Sequence, residues 1–337
     1  MASMAGRSRR LPRLVALQPA ANYPCRMNGI FVFLDILGFK SYVDADLVGA
    51  ALMLESQRNI LSVGLSDTAW YKNHGTIPDA FQAEHLTTTF HHFLPFSDSL
   101  CIASAQPDQF LPQLAHFLIS TFCFTAHAYE QNRTGFPPEN IKIAVIGLSG
   151  VTERRNWFPV LWRGGISFGQ FECVDSQGII NGQKREAPLL IGEAVVRAVN
   201  MEKPGNQESL RKGPRLFCDP YVRAAVTDTR LLTLLVPVPG IPNCEEFLWP
   251  AFLYNATGQP ENELLQLHDL LRPAVALWRS KQGTKYECHY FEFIRLICRS
   301  ALTWAATNGL GVTQARAAIV RSLNVERAGE LEASVLS

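Results

Sequence analysis

Residues 30–34 are five apolar side chains in a row that stop at Asp35, the pattern of a strand buried on both faces and ending in a carboxylate. A helix is predicted over 45–61, followed by a polar stretch at 66–89 with no strong period. Residues 93–104 read as a hairpin: a strand at 93–96, a tight corner of Ser97, Asp98 and Ser99, and a return strand at 100–103. The nearly uncharged segment 108–131 reads as a helix. Its uncharged run, 109–129, is long enough to span a bilayer, but Pro112, Gln113, His116 and His127 are at odds with a lipid-facing helix, so a buried helix is predicted. A strand at 160–169, a turn at 178–182 and a helix at 189–203 follow, the helix carrying Ala194, Val195, Ala198 and Met201 at helical spacing. A short strand at 215–218 completes an α+β order, one sheet covered by helices.

The Pro-Val-Pro-Gly-Ile-Pro run at 237–242 is the strongest punctuation in the chain and places a boundary near residue 236. Beyond it, helices are predicted over 261–279 and 286–307, forming a mainly helical extension (236–337) that packs on the sheet or on a partner. At the other end, residues 1–34 contain no acid, and Arg7, Arg9, Arg10, Arg13 and Arg26 give 1–26 the composition of a basic, disordered leader. A start of translation at Met27, or a transit peptide, would fit the same residues.

Composition narrows the function classes. The 337-residue chain is 47% hydrophobic and 18% charged with a net charge of +1, which excludes a disordered chain and a nucleic-acid binder that works by bulk charge. Without 1–26, 26 cations face 30 acids, so the body is mildly acidic and a polyanionic ligand must be attracted locally. Eight scattered cysteines without a C-x-x-C pair read as buried free thiols of a reducing compartment, and no signal peptide is visible, so a cytoplasmic protein is expected.

The candidate chemistry starts from Asp35, at the end of the first strand, and Asp98, at the tip of the hairpin. If the two strands are neighbours, both acids emerge at one edge of the sheet, where paired carboxylates suit Mg2+ or Mn2+ beside substrate phosphates. Taken singly, each Asp also fits a turn or a helix cap. Residues 33–39 (Phe-Leu-Asp-Ile-Leu-Gly-Phe) match F-x-D-I-x-G-F, and 96–99 (Phe-Ser-Asp-Ser) match a hairpin carrying a second metal-binding acid. Residues 163–169 match R-x-G-I-x-x-G, and 192–202 look like the helix G-x-x-V-N-x-A-x-R-x-E except at Val196 and Asn200. In that order, over about half the chain, these segments resemble the class III nucleotide cyclases. The sequence further resembles the divergent bacterial branch that makes cyclic pyrimidine nucleotides as signals during phage infection.

The resemblance implies a class III cyclase-like antiparallel sheet of the ferredoxin-like or palm type, with a catalytic domain at 27–235. It implies two divalent ions, Mn2+ or Mg2+, held by Asp35, Asp98 and the carbonyl of Ile36, and a homodimer with active sites at the interface. The implied reaction converts UTP, or CTP, to the 3′,5′-cyclic monophosphate and pyrophosphate, with neither nucleic acid nor membrane as a partner. Arg197 is the first candidate for the cation on the transferring phosphoryl group, with Arg163 and Lys203 behind it and Asn200 on the same helical stripe. Phe39 and Tyr42 are candidate substrate contacts, although a packed helix aromatic also fits Tyr42. Two departures stand out: Val196 occupies the position of the family's Asn, and Asn200 that of its transition-state Arg. The purine-reading positions fall near Leu94 and Leu189, which cannot hydrogen-bond a base edge through their side chains. A degenerate, nucleotide-binding relative and an atypical adenylate or guanylate cyclase are the alternatives.

Two other patterns are read as decoys. Residues 165–169 fit the hydrolase elbow G-x-S-x-G, but that motif needs a following helix, and 170–178 reads as polar and turn-like. His91 and His92 have no third ligand at suitable local spacing and read as residues beside the hairpin.

Overall fold

Strand β1 (Met27–Ile36) lies at the middle of the sheet because both of its faces are apolar. Ile30, Val32, Leu34 and Ile36 enter the large core, while Phe31 enters a smaller cluster with Ala103, Phe171, Ala194 and Ala198. The computed structural model describes residues 27–55, 90–131, 142–146, 152–180, 183–204, 208–255 and 267–336. After β1 come α1 (Phe39–Ala45) and a second helix, α2, at 47–55, so the helix predicted over 45–61 is broken at Asp46. The Asp46 carboxylate accepts from the N–H groups of Gly49 and, across the fold, Asn156. Residues 56–61 and the polar stretch 66–89 lie outside the described residues, as does the basic leader.

The hairpin forms as predicted, with β2 (His92–Phe96), β3 (Ser99–Ser104) and a two-residue corner in which Ser97 takes a left-handed φ of 57°. Helix α3 (Pro107–Gln131) is the buried helix: Phe110, Leu111, Leu114, Ile119 and Phe122 are wholly enclosed. Among the described residues no helix is long and apolar enough to cross a membrane. Strands β4 (Lys142–Ile146) and β5 (Thr152–Asn156) make a separate hairpin that the sequence reading did not find.

The next two elements correct the prediction. Strand β6 runs over Trp162–Ile180, and 170–178, expected as a polar turn, continues it as a ribbon paired to β7 (Gln183–Gly192). A two-stranded ribbon is held by its backbone ladder and needs no apolar alternation, which is why its composition read as a turn. For the same reason 189–192 is strand rather than the start of a helix. Helix α4 (Glu193–Met201) begins where Gly192, at φ 143°, ends the strand. The turn expected at 178–182 is displaced, since 178–180 is strand and 181–182 lies outside the described residues.

Strand β8 (Leu216–Cys218) runs parallel to β6. The short helices α5 (Pro220–Ala225) and α6 (Thr229–Thr233) follow, and then β9 (Leu235–Pro237) and β10 (Glu245–Phe247) extend the sheet. Its order is β2-β3-β1-β6-β8-β10-β9 with β7 also on β6, and among the described residues only the β6–β8 pair is parallel. Residue 236 falls within β9, whose partner β10 lies beyond the Pro-rich turn. The chain is thus an α+β fold with a mostly antiparallel sheet.

Helices α7 (Leu267–Ser280), α8 (Glu287–Thr307) and α9 (Val312–Val325) share the large core with α3 and one face of the sheet. Their attachment includes a buried ion cluster. Arg215 grips Glu246 at 2.6 and 2.7 Å, and Arg299 of α8 reaches the same carboxylate at 2.7 Å. The seven described cysteines are all free thiols, with Cys218, Cys244 and Cys298 buried.

Candidate functional site

The register of β1 on its two neighbours builds the site. Asp35 stands opposite Ser99 of β3 and opposite Arg163 of β6. The Ile36 N–H donates to the carbonyl of Asp98 at 3.1 Å, so the hairpin corner is tied to the end of β1. Asp35 and the Asp98 corner therefore lie together at this strand end. Asp35 is held above the ordinary carboxylate range mainly by burial; the Arg163 guanidinium pulls the other way, and Glu202 and Asp98 add to the rise.

Arg163 is the hub of this end of the sheet. It donates to Asp35 Oδ2 at 2.9 and 3.3 Å and lies 3.0 Å from Glu202 Oε1. Glu202, at the end of α4 and 8% exposed, is also 3.4 Å from the exposed Lys203 ammonium. Asp35 Oδ1 has the Ser99 hydroxyl at the long distance of 3.5 Å. Helix α4 can approach β6 this closely because Gly165 has no side chain: a Cβ there would strike the Ala198 carbonyl and Met201.

The remaining predicted residues are dispersed. Arg197 is on α4 but is engaged elsewhere: it donates to Asp219 at 2.8 Å, to Glu193 at 3.0 Å and to the Phe168 carbonyl at 2.7 Å, with its guanidinium over the Tyr221 ring. Burial works against its charge, but Glu193 and Asp219 outweigh it and hold the proton on. Asn200 is exposed on α4, as is Val196. Phe39 packs against the large core. The Tyr42 ring stacks on Phe158 at 4.4 Å, and its hydroxyl donates to the Pro159 carbonyl at 2.9 Å. Leu94 is half-buried on β2 and Leu189 is exposed on β7.

Ser167 of the elbow-like motif is wholly buried in mid-strand and donates to the Ala194 carbonyl, which removes a hydrolase nucleophile. The segment after it is strand rather than the expected turn, and still supplies no helix. His91 accepts from the Ala105 N–H at 3.3 Å and lies beside the hairpin. Two side chains that matter here were missed. Glu202 closes the helix motif, but its pairing with Arg163 comes only from the packing of α4 on β6. Asp219 could be found only through its cap, where its carboxylate accepts from the Tyr221 and Val222 N–H groups ahead of Pro220.

Among the described residues no three His, Cys, Asp or Glu side chains gather into a ready-made metal cage. The donor set nevertheless fits Mg2+ or Mn2+, which are held by one or two carboxylates and complete their shell with water and substrate phosphate. Asp35, Asp98 and the Ile36 carbonyl supply hard oxygens of this kind at one strand end.

No protein-family model matches the chain, and no curated protein matches it. Among solved structures it aligns with a bacterial light-regulated adenylyl cyclase at 13% identity and a TM-score of 0.31, covering 59% of this chain and 79% of that one. An adenylate cyclase from Trypanosoma brucei aligns at 13% identity and 0.31, covering 65% and 85%. The guanylyl cyclase Cya2 aligns at 15% identity and 0.33, covering 66% and 91%. Scores this low leave the chemistry to be argued from the residues themselves.

Proposed function

We propose that the chain is a class III-type nucleotide cyclase acting on a pyrimidine triphosphate, UTP before CTP, and releasing pyrophosphate. The observation that carries this reading is the pairing of Asp35 with the Asp98 corner by the β1–β3 register, at a sheet end that also holds Arg163. Asp35, Asp98 and the Ile36 carbonyl would hold the divalent ions. When bound, these supply Lewis acidity to the ribose 3′-hydroxyl and charge neutralisation to the triphosphate.

The protein's own groups then have separable tasks. Arg163 favours the ionised form of Asp35 against the larger effect of burial, and Glu202 fixes Arg163 from the helix side. Lys203, exposed and adjacent, is the cation best placed to meet the triphosphate. Arg197, bound to Asp219 and the Phe168 carbonyl, holds α4 against β6. The positions nearest the purine readers, Leu94 and Leu189, offer no side-chain hydrogen bonds to a base edge, which favours a pyrimidine.

A homodimer belongs to the same proposal. Val196 and Val199, 60% and 43% exposed on the outer face of α4, and Leu189 and Ile191 on β7 leave apolar surface that a second copy would cover. The product would serve as a cytoplasmic second messenger in anti-phage defence. A second reading, nucleotide binding without turnover, is favoured by the substitutions Val196 and Asn200 and by the engagement of Arg197 with Asp219. Purified protein incubated with Mn2+ and each of the four nucleoside triphosphates, with products resolved by mass, separates the two. A cyclic pyrimidine monophosphate supports the proposal, a purine product overturns its base assignment, and nucleotide binding without any cyclic product leaves the second reading.

A further inference from the structure

Behind the Asp35 loop lies a cavity of about 190 Å3 to which the reaction above assigns no task. Three parts of the chain line it: α1, the segment 156–161, and the join between α7 and α8. Leu37 and Gly38, which directly follow the proposed metal-binding residues, are among its lining residues, and the Leu37 N–H is fixed to the Leu161 carbonyl at 2.9 Å. Helix α1 has no buried side chain and no side-chain hydrogen bond at its N-terminus, so whatever fills the cavity bears on how firmly α1 is held.

The walls are aromatic and fixed in advance. Tyr42 and Phe158 present their stacked pair, and Trp157, Tyr286 and Tyr290 complete a ring-lined surface. Tyr42 is held by Pro159, Tyr286 by Ser41, and Tyr290 by Tyr42, so the shape exists before a ligand arrives and binding orders little. Flat rings stack on such walls or meet them edge-on. An apolar cavity of roughly 150 Å3 takes up benzene. This one is larger and has the exposed Ala45 in its lining, so two fused rings fit.

The charges around the cavity select a neutral occupant. The described lining holds no carboxylate, so an organic cation would meet the rings without a counter-charge, and the Lys285 ammonium already lies 5.0 Å over the Tyr286 ring. An anion fares no better, because Lys281, the only Lys or Arg of the described lining, already has a partner. Two neutral polar groups are left. His289 Nδ1 accepts from the Gly213 N–H at 3.2 Å, which puts the proton of the neutral ring on Nε2, and no acceptor for it stands among the described residues. Burial first, then Arg163 and Lys212, favour that neutral ring. The Asn156 carboxamide also has no hydrogen-bond partner among the described residues. Asn156, whose N–H donates to Asp46, stands at the C-terminal end of α1, and His289, in the field of Arg163, at the Asp35 end.

We propose that this cavity binds a neutral, planar two-ring heteroaromatic compound with a carbonyl at one end and a ring N–H at the other, the carbonyl accepting from His289 Nε2 and the N–H donating to the Asn156 carboxamide. Such a ligand braces α1 and the loop after Asp35. It bears on the reaction only through the reading of Asp35 as a metal ligand, whereas binding stands without that reading.

The test is calorimetric titration of the full chain with 4-quinolone, quinoline, 1-decalone and quinoline-4-carboxylate. Saturable binding of 4-quinolone is expected. Quinoline, which lacks the carbonyl and the N–H, and 1-decalone, which lacks the aromatic plane, should each bind about fivefold more weakly, and the carboxylate more weakly still. His289→Asn, which keeps an acceptor for the Gly213 N–H but has no Nε2, should erase most of the preference for 4-quinolone over quinoline. Ala45→Trp, at an exposed position, and Leu277→Trp, at a buried one, should each block the site, so the first remains informative if the second does not fold. Amide hydrogen exchange over 39–45 should slow when 4-quinolone binds. Asp98→Asn should bind as the parent does, which separates failure here from failure of the cyclase reading. No saturable binding of 4-quinolone, equal or tighter binding of the carboxylate, or binding that survives Ala45→Trp overturns the proposal.

Discussion

Two charged clusters, Asp35–Arg163–Glu202 and Arg215–Glu246–Arg299, are built from the same kinds of side chain in inverse proportion. In the first, one guanidinium serves two carboxylates, with a third, Asp98, nearby; in the second, two guanidiniums close on one carboxylate. The electrostatic outcomes are opposite. Burial lifts Asp35 above its ordinary range despite Arg163. Burial would lift Glu246 too, yet Arg215 and Arg299 hold it below its ordinary value. The surplus of acid at a strand end is suited to receiving a cation. The surplus of base at a nearly enclosed carboxylate is suited to fastening the β8–β10 edge of the sheet to α8. Residue identity alone does not separate a site from a staple; the local charge balance and exposure do.

The largest effect should come from the staple. Glu246→Gln leaves two guanidiniums around a neutral amide and should cost about 3–5 kcal/mol in urea denaturation, the usual penalty for breaking a buried pair. Turnover per folded molecule should be unchanged. Asp35→Asn should do the reverse, abolishing turnover while changing stability by less than about 1 kcal/mol, because the ionised form it removes is one that burial disfavours. A loss of stability as large as that of Glu246→Gln would collapse the distinction between the clusters. Arg163→Gln should raise the Asp35 pKa further, read by carboxyl-carbon NMR, and Arg163→Lys should restore part of the shift through charge without the two-pronged contact.

The smallest effect is in the pH dependence, where the two clusters have opposite signs. The Asp35 pKa is raised, so its share of stability is full below its ordinary value of 3.8 and is lost as the pH climbs through the raised value. The Glu246 pKa is lowered, so its share is full above 4.5 and is lost as the pH falls through the depressed value. Denaturation curves at a series of pH values should therefore lose their acid-side fall in Glu246→Gln and their fall above 3.8 in Asp35→Asn.

Much of this site was legible before the fold was. The run 30–34, the corner at 97–99 and the strand around Arg163 are local signals, because a strand buried on both faces and a tight turn write themselves into composition. The partners were not legible. Whether Arg163 meets Asp35 depends on the register of β1 on β6, and whether Arg197 serves the site depends on Asp219, 22 residues away. The long β6–β7 ribbon read as a turn and a helix because its stability lies in backbone pairing. The small strands β9 and β10 were hidden because they flank the Pro-rich run 237–242, which reads as a break, and β10 opens on two acids rather than on an apolar run like that of β8.

Asp98→Asn is the sharpest substitution, because the tie from the hairpin corner to β1 runs through the Asp98 backbone carbonyl and survives the change. The decisive measurement is the yield of cyclic nucleotide from UTP with Mn2+, by mass, in the parent and in this variant at matched folded concentration. The account predicts cyclic UMP and pyrophosphate from the parent and none from Asp98→Asn. Equal yields from both, or no cyclic product from the parent, would contradict it.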